Sequence, residues 1–210
     1  MFRPHRNSQK RYYDKNYIYF ITINVQNKTP FFENDVFCDL LVEEIRLAKK
    51  LKRFLLYGFV IMPEHVHLLI HPGEEYNISK VMQFIKRHFS RAMNYINGHK
   101  NRFPEGDIGQ CRLRGGGDRF QKINGSLVQD LIRQFDEYVE KIKIKIQANN
   151  ETFPFFRWQK SFHDHIIRHQ HDFDHHLNYI LINPVKHHVC EDWRDYPWSS
   201  WQAHADLIDR

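Results

Sequence analysis

The sequence predicts an α+β fold of the ferredoxin-like kind, with a central antiparallel sheet and helices packed on one face. Three observations predict it. Segments with strand-like and helix-like apolar spacing follow one another as strand, helix, strand, strand, helix, insert, strand, helix. The two middle strands are separated only by Pro63-Glu64, which makes them a hairpin. The chain has 210 residues and is 41% hydrophobic, which fits one packed domain, residues 1–210, and excludes a disordered chain.

Residues 1–15 form a basic arm, with Arg3, Arg6, Lys10, Arg11 and Lys15 set against Asp14. Such an arm either contacts phosphates or is solvated. Tyr17 to Val25 is rich in β-branched and aromatic residues and reads as a strand. A helix over Asp35 to Leu51 follows from Val36, Leu40, Leu41, Ile45 and Leu47, with Asn34 or Asp35 as its cap. Phe54 to Met62 and His65 to Ile70 are the hairpin strands. Ser79 is placed to cap a helix from Lys80 to about Ile96, whose basic side carries Lys80, Lys86, Arg87 and Arg91. Seven of the nine glycines then fall between Asn97 and Gly125, which reads as a surface loop. Leu127 to Ile146 has helical spacing again, a strand is expected around Phe162 to Ile167, and a last helix runs from about Asp172 to Ile182, before Pro184.

Composition narrows the function. Lys and Arg number 31 against 25 Asp and Glu, a net charge of +6, which favours a polyanionic partner. No stretch approaches the roughly 18 apolar residues of a membrane span, and the N-terminus lacks a signal-peptide core. The three cysteines, Cys38, Cys111 and Cys190, are dispersed, which argues for a reducing cytoplasm and against a disulfide framework. Histidine is in excess at 15, and eight of these lie between His163 and His188.

Two sets of residues carry chemistry. In His65-Val66-His67, at the start of a strand, alternation points both imidazoles to one face, where they can converge on a metal ion, while Val66 anchors the other face. His163-Asp164-His165 alternates in the same way but has a charged centre, and suits a supporting or nucleic-acid-facing role better. On the last helix, Phe173, Leu177, Ile180 and Leu181 form an apolar side. His175, His176, Tyr179 and Asn183 gather opposite it, and Pro184 predicts a distorted turn at Asn183. A tyrosine near metal-binding residues suggests phenolate attack on a phosphodiester, with a divalent ion polarising the phosphate. Two imidazoles and an amide oxygen, completed by water and phosphate, suit Mg2+ or Mn2+ without excluding zinc.

Several segments resemble a known family. Val60 to Ile70, VIMPEHVHLLI, resembles the HUH segment of the single-tyrosine, single-strand DNA transposases (IS200-like). Trp158 to Arg168, His175 to Val189 and the W-x-x-Y-P-W-S-S of Trp193 to Ser200 are similar to the REP-associated tyrosine transposases of that group. The resemblance implies a fold of the HUH endonuclease type. It implies His65 and His67 as metal ligands, Asn183 as a third, amide-type ligand and Tyr179 as nucleophile. It further implies cleavage of single-stranded DNA beside palindromic, REP-like hairpins through a 5′-phosphotyrosine, with strand transfer as the reverse reaction, in a cytoplasmic, nucleoid-associated protein. The departure is an insert at about 98–153, helical and Gly-rich, which compact family members lack. It leaves hairpin placement and oligomeric state, monomer or homodimer, open.

The alternatives are a non-catalytic hairpin DNA- or RNA-binding module and a metal hydrolase built on His163 to His176, which lacks any H-E-x-x-H spacing. The residues expected to contact DNA are Arg11, Tyr12, Lys86, Arg87 and Arg91, then Arg168 and Lys186 flanking the tyrosine helix. The histidine cluster around Tyr179 predicts tighter phosphate binding as pH falls from about 7.5 to 6.

Overall fold

A computed structural model describes residues 14–99, 125–201 and 204–209. The elements are β1 (Ile18–Asn24), α1 (Asp35–Lys52), β2 (Leu55–Met62), β3 (His65–His71), α2 (Ile78–Ile96), α3 (Gly125–Ala148), β4 (His163–Ile167) and α4 (Gln170–Lys186). The strands form one sheet in the order β2-β3-β1-β4, with every neighbouring pair antiparallel. This is the ferredoxin-like order, in which the hairpin β2–β3 lies beside the β1–β4 pair through the central contact of β3 with β1.

Strand alternation sorts the two faces. Tyr19, Ile21 and Ile23 of β1 join Val66, Leu68 and Ile70 of β3 in the main core, beneath α1 and α2. Phe135, Val139, Ile142 and Ile146 of α3 enter the same core. The expected one-face packing therefore holds for α1, α2 and α3. The last helix, α4, takes the opposite face, where Ile180 packs with Val60 and Leu69, and Phe173 and Leu177 join Ile18 and Phe20. The run His65 to Ile70 is buried at every position, the pattern of a strand covered on both sides.

Local chemistry fixes the ends. The Asn34 side chain accepts from the Val36 amide at 3.0 Å and starts α1. α2 begins two residues earlier than the spacing predicts. Its cap is Asn77, which accepts from the Lys80 amide at 3.1 Å, rather than Ser79. The reason is Ile78, which is fully buried in the core and draws the first turn back. α4 continues past Ile182 and through Pro184 to Lys186. Pro184 forfeits one amide, yet the Asn183 carbonyl accepts from the His187 amide at 3.1 Å, so helical bonding resumes beyond it.

Two features seat α4. A β-bulge interrupts the β2–β3 register between Leu56 and Gly58. A Cβ at Gly58 would lie 2.9 Å from Leu177 Cδ1, so the missing side chain lets the helix approach the sheet. The W-x-x-Y-P-W-S-S segment runs along the outer edge of β2. The Ile61 amide donates to the Trp198 carbonyl at 2.8 Å, the Ser200 amide to Phe59 at 2.9 Å, and the Tyr196 hydroxyl to the Ile61 carbonyl at 2.6 Å. This segment covers a strand edge that would otherwise be open to pairing. No helix among the described residues is long and apolar enough to cross a membrane.

Candidate active site

The register places His65 and His67 on the α4 side of the sheet. Val66, between them, is fully buried in the opposite core, as strand alternation requires. The two imidazole centroids are 4.8 Å apart. Each ring has an oxygen partner on Nδ1: Glu64 Oε1 lies 3.2 Å from His65, and Thr22 Oγ1 lies 2.9 Å from His67. Thr22 stands directly across from His67 in the β1–β3 ladder. When Nδ1–H donates to these oxygens, Nε2 of each ring keeps its lone pair for a ligand. In His67 that Nε2 is buried without any hydrogen-bond partner.

The helix supplies the other residues along one ridge. Tyr179, Asn183 and His187 are spaced four apart, so they stack on nearly one line. The Tyr179 ring lies 5.3 Å from that of His67, and the His187 ring lies 5.8 Å from that of His65. Asn183 lies on this ridge one turn from each of its two ends. It is fully buried, and neither Oδ1 nor Nδ2 has a hydrogen-bond partner. Buried polar atoms are almost always bonded in native structures. An orphaned imidazole nitrogen on β3 and an orphaned amide on the helix that packs over it therefore fit residues that complete their bonding with a metal ion. Because the helix continues through Pro184, the turn carrying Asn183 stays regular, rather than distorted.

The electrostatics agree. Burial, then the neighbouring His65, His187 and Lys186, push the His67 pKa down to about 3, and burial also lowers that of His65. Both rings are therefore neutral, the form that binds metals. The Lys186 ammonium sits over the Tyr179 ring, 4.8 Å from its centroid. The two imidazoles and the amide are neutral and Lys186 brings a positive charge toward the tyrosine, while the Glu64 carboxylate stands behind His65 on its Nδ1 side.

The remaining expected residues divide. Arg168 and Lys186 are both exposed, at the two ends of the α4 region. Lys86, Arg87 and Arg91 are on α2, against the other face of the sheet. They line an open groove of about 670 Å³ with Arg157 and Lys160. Within that groove the Lys86 ammonium donates to the Gln159 and Ser161 carbonyls, at 2.7 and 2.8 Å, and fastens the segment that leads into β4. Arg11 and Tyr12 lie outside the described residues, as do Cys111 and most of the Gly-rich stretch. In the second histidine triplet, His163 and His165 pair across from Thr22 and Phe20 and face α4, while Asp164 turns to the other side.

Four residues of the site escaped sequence reasoning: Thr22, Glu64, Phe20 and His187. Thr22 and Phe20 are recognisable only from register. Glu64, adjacent to His65, and His187, four residues after Asn183, had usable spacing.

Residues 14–106 match the family model described as IS200-like transposase. A REP-associated tyrosine transposase of Escherichia coli strain K12 is 24% identical over 199 residues, which span 94% of this chain and 83% of that protein. A Haemophilus influenzae protein provisionally given the same name is 27% identical over 203 residues, 94% of this chain and 86% of that one. A solved structure described as a REP-associated tyrosine transposase bound to a REP hairpin is 22% identical, with a TM-score of 0.48 over 95% of this chain and 86% of its own.

Proposed function

With residues 14–106 matching the IS200-like transposase family model and nearly the whole chain similar to REP-associated tyrosine transposases, we propose that this protein cuts and rejoins single-stranded DNA beside palindromic hairpins, using Tyr179 as nucleophile. The observation that carries the reading is the approach of the Tyr179 ring to His67, with the unpartnered, buried Asn183 one helical turn further along the same ridge. The Tyr179 phenol oxygen attacks the scissile phosphorus. The phosphorus–O3′ bond breaks, the 3′ side leaves as a hydroxyl, and the 5′ side remains as a phosphotyrosine. Attack by a 3′-hydroxyl on that linkage restores the tyrosine and joins strands. A divalent ion, Mg2+ or Mn2+, held by His65, His67 and Asn183 supplies charge stabilisation at the phosphate. Thr22 and Glu64 hold the two rings in the tautomer that offers Nε2, and Lys186 brings positive charge toward the tyrosine and its phosphate.

The chain acts as a single domain in this reading, with the insert at 98–153 as an elaboration whose helix, α3, rests on α1 and α2. The DNA path runs from the α4 face, with Arg168 and Lys186, around the β4 edge to the groove that holds Arg87 and Arg91.

The test uses a labelled hairpin oligonucleotide with Mg2+ or Mn2+. The wild-type chain forms a covalent protein–DNA adduct, visible after denaturing electrophoresis, and Tyr179→Phe forms none. An adduct that persists in Tyr179→Phe refutes the assignment. His65→Ala and His67→Ala each abolish cleavage and retain hairpin binding.

A further inference from the structure

We propose that His165, Asp172 and His176 form a second metal site, for zinc or a similar divalent transition ion, which ties the first turns of α4 to the edge strand β4. One ligand atom from each residue lies within 4.8 Å of the others. The Asp172 carboxylate oxygens are 3.1 and 3.0 Å from His165 Nε2, and Oδ1 is 3.1 Å from His176 Nδ1, which donates to the Asp172 carbonyl at 2.8 Å and leaves the Nε2 lone pair of that ring for the ion. A tetrahedral ion with bonds of about 2 Å has ligand–ligand edges of roughly 3.3 Å, so small side-chain shifts suffice. The two imidazoles stack, with centroids 4.6 Å apart and planes at 21°, so they are adjacent and turn about their side-chain torsions to aim both lone pairs at one ion. Asp172 and His176 are four apart on one helix face. His165 reaches them because alternation turns it to the α4 side of the edge strand.

The donor set determines the ion. Two imidazoles and a carboxylate match zinc and its neighbours, and the charged carboxylate strengthens the hold on a divalent ion where no phosphate completes the site. Asp172 gives this cluster a negative charge that the His65, His67 and Asn183 group lacks, so the two groups differ in what they attract. The Arg168 amide bonds one carboxylate oxygen at 3.1 Å and orients it, as outer partners of metal ligands do. The His165 side chain is 40% exposed, which leaves an entry path and room for a fourth ligand from solvent.

The site is separate from the first but mechanically close to it. The Phe20 ring lies between them, 4.6 Å from His176 and 5.1 Å from His67, and it also touches Tyr179 at 5.8 Å. Tyr179 follows His176 by three residues. An ion here holds the segment that presents Tyr179 without taking part in phosphoryl transfer.

The test is independent of DNA cleavage. The full chain carrying H65A and H67A, which removes the first group, is stripped with chelator and titrated with Co2+. The expected result is one equivalent bound with the visible absorption of a tetrahedral site, displaced by Zn2+, and lost when H165A and H176A are added. His165→Gln, at a partly exposed position, gives the same loss in a chain whose folding circular dichroism verifies. Asp172→Asn weakens the binding by at least about tenfold. No Co2+ uptake by the H65A/H67A chain, or uptake that survives the loss of His165 and His176, overturns the proposal and leaves a hydrogen-bonded triad only.

Discussion

Burial holds the His67 imidazole neutral, with its pKa pushed down to about 3 from 6.5. The unfolded chain therefore binds more protons than the folded one between these values. The metal-free protein loses stability as pH falls below about 6.5, at up to about 1.4 kcal/mol per pH unit from this residue. Urea unfolding with chelator at pH 6.5 and 5 measures the slope, and His67→Gln reduces it. Asn183 presents a related conflict. Its amide is buried with no partner, an arrangement that costs stability unless a ligand completes it. Asn183→Leu keeps the volume and removes the orphaned atoms. We expect the variant to be as stable as the wild type or up to about 2 kcal/mol more stable, and to form no adduct with the hairpin. Chemical denaturation and denaturing electrophoresis check the two halves of that expectation.

Among the elements, α4 bears most of the function, and its seat depends on a residue it does not contain. Gly58 lies beneath it on β2, 2.9 Å from Leu177 Cδ1 once a Cβ is built. An alanine there meets only the end of a flexible side chain, so Leu177 can turn aside. A valine is too large for that adjustment and displaces the helix. Gly58→Val should cost about 1–3 kcal/mol and slow adduct formation, with a smaller effect for Gly58→Ala. Thermal unfolding and single-turnover adduct kinetics measure both. Pro184 shows how context overrides a local signal. It predicts the end of the helix, yet Asn183 and Pro184 are buried, and packing against the sheet carries the helix one turn further. That turn places His187 beside His65.

Among the described residues, the cations expected to meet phosphate stand on both faces of the sheet. Arg87 and Arg91 line the α2 groove, while Arg168 and Lys186 stand near α4. If each arginine contacts a phosphate, Arg87→Ala and Arg91→Ala each flatten the slope of log binding constant against log salt by about 0.7–0.9. Lys86→Ala acts mainly on stability, since its ammonium is bonded to two carbonyls of the chain. Salt titrations of hairpin binding, run beside urea melts, separate the two behaviours. The histidines of this region, His169, His171, His175, His187 and His188, are all exposed. Hairpin binding is expected to tighten between about pH 7.5 and 6.

The element order, the hairpin and the strand alternation of His65 and His67 were legible in the sequence because they depend on local periodicity. So was the helical spacing of Tyr179 and Asn183. Caps and ends were legible only to within a turn, since Ile78 and Pro184 answer to packing rather than to their neighbours in sequence. Tertiary structure alone decided which face of the sheet receives α4. It alone brought Thr22 opposite His67, placed Phe20 between two histidine groups, and joined His165 of β4 to Asp172 and His176. Such meetings depend on register between strands distant in the chain and on the close approach that Gly58 permits, and a one-residue slip would turn every one of these strand side chains to the other face.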